Sequence, residues 1–294
     1  MPRNRLASWT VEPTATASRL ERASEHVWWF TPDERTDRPA LAAVAGASAT
    51  ALLEVGASVA HTSSFLAALA PLGLPPLRAA VLTHWHWDHS FGAAALDVPV
   101  IAHRRTAAEL AHQAAFDWSD EALDARVEAG QEIAFCRDMI RLEIPDRSEL
   151  EIVLPQIVFD DRLELDLGGV HVAVEHVGGD HAADSAVCHV VEDGLLVLGD
   201  CLYERLYAAE HYLTPASVLA LTARIRAFGP LRAIEGHDAE VLDAGRLLAR
   251  LAALRSAAER VHELGRAALD TAADDDDREL LGLLLTGAGR DASA

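Results

Sequence analysis

His84-Trp85-His86-Trp87-Asp88-His89 puts three imidazoles and one carboxylate into six positions, directly behind the apolar run Ala79-Ala80-Val81-Leu82. Core packing does not call for this combination, because such groups are costly to bury unless they are paired. A zinc-type divalent ion does call for it, since it takes imidazole nitrogen and carboxylate oxygen as ligands. The spacing favours two ions over one. His84 and His86 can point together at one centre, while Asp88 and His89 turn toward a second centre beside it. A purification tag would sit at a terminus and lack the aspartate.

The hexad resembles the signature loop of the metallo-β-lactamase superfamily, whose general form is His-x-His-x-Asp-His. That resemblance implies three further ligands downstream, each at a strand end. His181 fits the first, in the Gly-rich turn Val177-Gly178-Gly179-Asp180-His181. Asp200 fits the second, closing Leu195-Leu196-Val197-Leu198-Gly199-Asp200, and His237 fits the third, in Ile234-Glu235-Gly236-His237. These matches occur in the expected order and cover roughly residues 40–240. The implied fold is α+β, an αββα four-layer sandwich with two mixed sheets face to face and helices outside. The implied ligand sets are His84, His86 and His181 for one metal and Asp88, His89 and His237 for the other, with Asp200 bridging both.

Length and composition agree with a globular enzyme. The 294 residues suit one large domain or two small ones, and 50% are hydrophobic, enough for a sizeable core. A formal charge of −21 repels phosphate backbones and argues against a nucleic-acid partner. Cys136, Cys188 and Cys201 are too few for a disulfide framework. Neither a signal-peptide pattern nor a membrane-length apolar run is visible, so the expectation is a cytoplasmic protein acting on a small molecule and not on a membrane. Oligomeric state is open.

Along the chain, residues 1–25 read as an N-terminal arm, loose or briefly helical. His26 to Phe30 reads as a strand with Trp28 and Trp29 on its two faces, and segments 40–44 and 49–55 as a hairpin. A helix follows over 61–70, stopped by prolines, and the strand 78–82 delivers the His-rich loop. Residues 104–143 look helical and form an insertion, read here as a cap or wall, or as an ordinary surface helix pair. From Ile157 to Leu198 the pattern is β, with hairpin turns at Gly168-Gly169 and Asp193-Gly194. Thr214-Pro215 reads as a helix start, and Leu247, Leu251, Leu254, Ala258 and Val261 share one helical face. The catalytic domain is expected over 26–270. Residues 271–294 are expected to be an acidic linker, Asp274 to Asp277, followed by a C-terminal helix and tail.

The expected cofactors are two divalent metal ions, zinc first, with iron and manganese suited to the same ligands. Each ion would receive four ligands, one of them shared, and an open position for water. Two such cations, two aspartates and a hydroxide sum to about +1, which favours a developing oxyanion. Asp88 and Asp200 are the candidate catalytic carboxylates, able to pass a proton to the leaving group. Tyr203, three residues after Asp200, sits where superfamily lactonases carry a tyrosine that donates to the substrate carbonyl; its other reading is a packed helix-start residue. Asp184 is the first candidate to orient His181, Asp180 reads as a turn residue, and Glu54 stands where the family usually has aspartate. Cys201 reads as a buried, inert thiol and His176 as a core or rim histidine, while His103, His112 and His211 are open candidates for the pocket mouth.

The reaction expected is hydrolysis of an ester or lactone by a hydroxide held between two metals. Rivals are other superfamily hydrolyses (thioester, β-lactam, phosphodiester) and a single-iron oxygenase of the persulfide-oxidising kind. A last rival is a non-enzymatic scaffold whose metals only pin strands.

Overall fold

The computed structural model describes residues 17–148 and 150–290. The N-terminal strands are β1 (Leu20–Arg22), β2 (Val27–Phe30), β3 (Leu41–Ala45) and β4 (Thr50–Leu53). Helix α1 (Val59–Leu69), β5 (Leu77–Val81), the single turn α2 (Trp87–Ser90) and β6 (Val100–His103) follow. Three helices come next: α3 (Arg104–Gln113), α4 (Asp120–Glu128) and α5 (Ala134–Glu143). Then come β7 (Ile157–Phe159), β8 (Arg162–Asp166), β9 (His171–His176), β10 (Ala186–Val190) and β11 (Leu195–Gly199). The chain closes with α6 (Pro215–Ala227), β12 (Arg232–Glu235), β13 (Leu242–Asp243), α7 (Ala244–Leu264) and α8 (Asp275–Gly287).

One sheet runs β1-β2-β3-β4-β5-β6-β7 and the other β13-β12-β11-β10-β9-β8. Both are mixed: β4, β5, β6 and β7 are parallel neighbours in the first, and β11 and β12 in the second. Between the sheets, Val44, Leu53, Val81 and Ile101 meet Val172, Val174, Val190, Val197 and Ile234, all buried. The outer face of the first sheet, with Leu41, Leu52 and Leu82, is covered by Phe65 and Leu69 of α1 and Leu110 of α3. The outer face of the second sheet, with Val187, Leu196 and Leu198, is covered by Leu221 and Ile225 of α6 and Leu247 and Leu251 of α7. Strands covered on both faces read as continuous apolar runs, which explains Leu41–Ala45 and Leu195–Gly199. The result is the expected αββα sandwich.

Some local expectations change. Residues 1–16 of the expected arm lie outside the described residues. Leu20–Arg22 is neither loose nor helical, since it extends the first sheet by pairing with Trp28–Phe30. Asp274 to Asp277 is not a linker. Asp274 caps α8 by accepting from the Asp277 N–H, and the other three acids fill the first turn, where the helix dipole favours negative charge. Leu281 and Leu284 of α8 then pack against Val218, Ala257, Ala258 and Val261, so this segment belongs to the packed body.

The 104–143 segment holds α3 to α5, with a core of its own where Leu123, Cys136, Met139 and Ile140 meet Trp87 and Phe91. Trp87 belongs to the hexad, so this cluster packs directly beneath the His-rich loop. Among the described residues, no helix is long and apolar enough to cross a membrane.

Candidate metal centre

The hexad begins just past the buried end of β5. His84 and His86 lie in the loop, and Asp88 and His89 lie on the α2 turn that His86 opens. His181 follows β9, Asp200 follows β11, and His237 follows β12 across Gly236. These strands end along one rim of the sandwich, so residues more than a hundred positions apart arrive together.

Two groups form. His84, His86 and His181 can bring one ligand atom each within 4.8 Å of one another, and so can Asp88, His89, Asp200 and His237. Asp200 Oδ2 faces both groups, at 3.5 Å from His181 Nε2 and 3.4 Å from each of His89 Nε2 and His237 Nε2. Asp88 Oδ2 lies 3.1 Å from His237 Nε2 and 3.3 Å from His89 Nε2. All seven residues are buried. Gly236 makes the approach possible, because a Cβ there would fall 1.9 Å from Asp200 Oδ1.

The orientation of the rings comes from behind. Thr83 Oγ1 is 3.0 Å from His84 Nδ1, and the Glu204 carbonyl accepts from His181 Nδ1 at 3.1 Å. Glu54 Oε1 lies 3.4 Å from His89 Nδ1, and Asp37 Oδ1 lies 3.5 Å from His237 Nδ1. With Nδ1 hydrogen-bonded on His84 and His181 and set beside a carboxylate on His89 and His237, Nε2 is left to face the centre. Glu54 therefore reaches its histidine despite its extra methylene. It does so from a left-handed backbone (φ 75°), an uncommon conformation for a residue other than glycine.

The site's atoms suit a resident cation. His84 Nε2, His89 Nε2, His181 Nε2 and Asp200 Oδ1 are buried and have no hydrogen-bond partner. Native interiors rarely leave such atoms unmatched, and a nitrogen-and-oxygen donor set of this kind fits a divalent metal. Burial, with added repulsion from neighbouring imidazoles, holds His84 and His86 well below the usual histidine range, in the neutral form that ligates. At Asp88 and Asp200 burial opposes ionisation, but His89 and His237 outweigh it and hold both carboxyls well below their ordinary range. His89 goes the other way. Burial pulls it down, yet Asp88, Asp200 and Glu54 raise it well above its ordinary value. Three carboxylates around one imidazole mark this half of the site as short of positive charge.

The other candidate residues fall both with and against expectation. Asp184 does not orient His181; it accepts from Thr106 Oγ1 at 2.7 Å, and burial raises its carboxyl to about 7. Asp180 lies in the bend that carries His181, after Gly178 and Gly179 with their positive φ values. Its carboxylate accepts from the Thr214 N–H at 2.7 Å, tying the His181 loop to the start of α6. Cys201 is buried and belongs to no metal-binding group among the described residues. His176 stacks face to face on His103 with centroids 3.9 Å apart and bonds the Ala183 carbonyl, and His112 packs edge-on against Phe116. Tyr203 lies between the groups, its ring 6.0 Å from that of His181 and 6.4 Å from that of His237.

Asp37, Thr83 and Tyr207 went unnoticed in the sequence. Thr83 had a usable signal, being the residue that leads into His84. Asp37 and Tyr207 had none, since each arrives from a loop. The Tyr207 ring lies 5.3 Å from His86 and 5.4 Å from Trp85, and its hydroxyl donates to Cys136 Sγ on α5 at 3.6 Å.

Comparison with known proteins agrees with this geometry. The family model of the metallo-beta-lactamase superfamily matches residues 40–264. Among solved structures, a metallo-beta-lactamase from Pontibacter korlensis superposes with a TM-score of 0.57 at 20% identity, over 80% of this chain and 99% of that one. One from Hirschia baltica gives 0.52 at 16% identity, over 81% and 97%. The inverting sec-alkylsulfatase Pisa1 from Pseudomonas sp. gives 0.66 at 13% identity, over 92% of this chain and 50% of that one. A search of curated proteins returned no match. With the family model spanning most of its length and the metal-binding residues gathered at one rim, the chain belongs to the metallo-beta-lactamase superfamily.

Proposed function

We propose that the protein is a binuclear metallo-hydrolase that cleaves a carboxylic ester or lactone of a small molecule. The observation that carries this reading is Asp200 Oδ2, one oxygen within 3.5 Å of imidazole nitrogens from both ligand groups. In this reading His84, His86 and His181 would hold one ion, Asp88, His89 and His237 would hold the other, and Asp200 would serve both. Zinc is the first choice by donor type. When bound, the ions supply a water acidified to near neutral pH and a Lewis acid for the scissile group.

The chain's residues supply the rest. Glu54, Asp37, Thr83 and the Glu204 carbonyl fix the rings, so the donor set is organised before substrate arrives. Burial of all seven ligands keeps bulk water from competing with substrate groups. Tyr203, whose ring lies near those of His181 and His237, would donate to the carbonyl oxygen as it gains charge. Asp88 and Asp200 are the carboxylates available to carry a proton to the leaving group. The ester and lactone preference rests on Tyr203 and on the acidic surface, which disfavours polyanionic substrates. A single-iron oxygenase would not need the second group, yet Asp88, His89 and His237 are assembled as fully as the first.

The test joins metal analysis to a hydrolysis panel of lactones, carboxylic esters, thioesters, β-lactams, phosphodiesters and, given the fold neighbour, alkyl sulfates. Two metal equivalents per chain are expected, with fastest turnover on esters or lactones. Asp200→Asn should lose metal and at least ~10²-fold in kcat. One iron per chain with oxygen uptake, or an Asp200→Asn variant of full activity, would refute the proposal.

A further inference from the structure

A chain of contacts runs from α7 through the buried Glu235 to Tyr203. Arg250 of α7 places Nη1 2.6 Å from Glu235 Oε2, and the Glu235 side chain is 1% exposed. Glu235 ends β12 and immediately precedes Gly236-His237. Asp238 Oδ2 lies 3.5 Å from the same guanidinium nitrogen. The guanidinium carbon lies over the Tyr203 ring, 5.9 Å from its centroid. Arg250 thus connects the strand end that delivers His237 to the tyrosine that follows Asp200.

The chemistry of that contact matters. A guanidinium has five N–H donors and no acceptor, so the tyrosine's own proton cannot be spent on Arg250. A cation over the ring is attracted to its π face and holds it in place. The ring axis is held from one side, and the hydroxyl proton can be given to another acceptor. Lysine could supply the charge but not the planar fork that engages Glu235 and Tyr203 together.

We infer that Arg250 is a positioning residue that holds the Tyr203 hydroxyl over the ligand cluster as a hydrogen-bond donor to the substrate oxygen. This rests on the hydrolase reading above. The experiment is a double-mutant cycle with p-nitrophenyl acetate, using Tyr203→Phe, Arg250→Met and the pair, with metal content measured on each protein. Arg250→Lys keeps a cation beside Glu235 and guards against a variant that fails to fold. Arg250→Met should lower kcat about tenfold with KM and metal content unchanged, and add less than about twofold once Tyr203 is Phe. Arg250→Lys should recover part of the loss. Fully additive losses would overturn the inference.

A second measurement does not depend on turnover. The chain has three tyrosines, so 3-fluorotyrosine labelling gives three fluorine resonances, and Tyr203→Phe assigns one of them. Arg250→Met should move that resonance and leave those of Tyr207 and Tyr212 in place, which also reports an intact fold. An unmoved Tyr203 signal would overturn the inference. Should no ester be hydrolysed, the hydrolase reading fails, and the fluorine spectrum alone decides what Arg250 does.

Discussion

Asp184 is 2% exposed, and burial lifts its carboxyl to about 7, far above the ordinary aspartate value of 3.8. The folded protein therefore keeps a proton that the unfolded chain releases. Stability from this group is full below about pH 4, falls as pH rises through the interval up to about 7, and is flat above it. An amide has no such proton to lose, and its oxygen can still accept from Thr106. Comparing Asp184→Asn with the parent removes whatever pH dependence the metal ligands contribute to both. Melting temperatures at pH 5 and pH 8 should show the difference shifting in favour of asparagine at the higher pH; a constant difference would contradict the burial argument. The same residue shows where sequence reading stops. Its place three positions after His181 made it the natural candidate to orient that ring, but the partner turned out to be the Glu204 backbone carbonyl. Ligands were legible because metal chemistry restricts residue type. A carbonyl is present at every position and leaves no mark.

Elements were legible in proportion to their periodicity. Leu247, Leu251 and Val261 of α7 are buried on the expected face, and the Gly168-Gly169 turn pairs β8 with β9 in register. Short or polar elements were not. Leu20-Glu21-Arg22 has no alternation long enough to announce a strand and exists because β2 offers it an edge. The four aspartates at 274–277 were ambiguous, since acids suit both a solvated linker and a helix start. The structure chooses the start, with Asp274 as the cap and Asp277 paired with Arg260 of α7. Asp274→Ala should destabilise the protein by about 1 kcal/mol in denaturant titration, while Asp275→Ala should change stability by far less. Equal effects would mean that the cap hydrogen bond is not what anchors α8.

At the scale of the molecule, the hexad comes from the first sheet and His181, Asp200 and His237 from the second. Ions held by both sets would join the two halves of the sandwich at one rim. A ligand that binds only the folded state stabilises it by about 4 kcal/mol at a thousandfold excess over Kd. Stripping two such ions with a chelator should therefore lower the melting temperature by roughly 10 °C or more, and zinc should restore it. The His84→Ala variant should start lower and respond less. A melting temperature indifferent to chelation would remove the link between ligand cluster and stability. The four-layer architecture followed from the resemblance of the motifs to the metallo-β-lactamase superfamily, whereas the way α4 and α5 pack against the hexad was not legible.

The Glu143 carboxylate at the end of α5 receives Thr36 Oγ1, Arg38 Nε and Ser58 Oγ, three donors from two separate loops of the first half of the chain. Asp37, which backs His237, sits between two of those donors in the sequence. The helical excursion is thus not an interchangeable module. A chimera that imported α4 and α5 from a relative without matching partners at 36, 38 and 58 would lose its grip on the Asp37 loop, and loop-swapping aimed at new specificity here would have to graft both sides of that knot together.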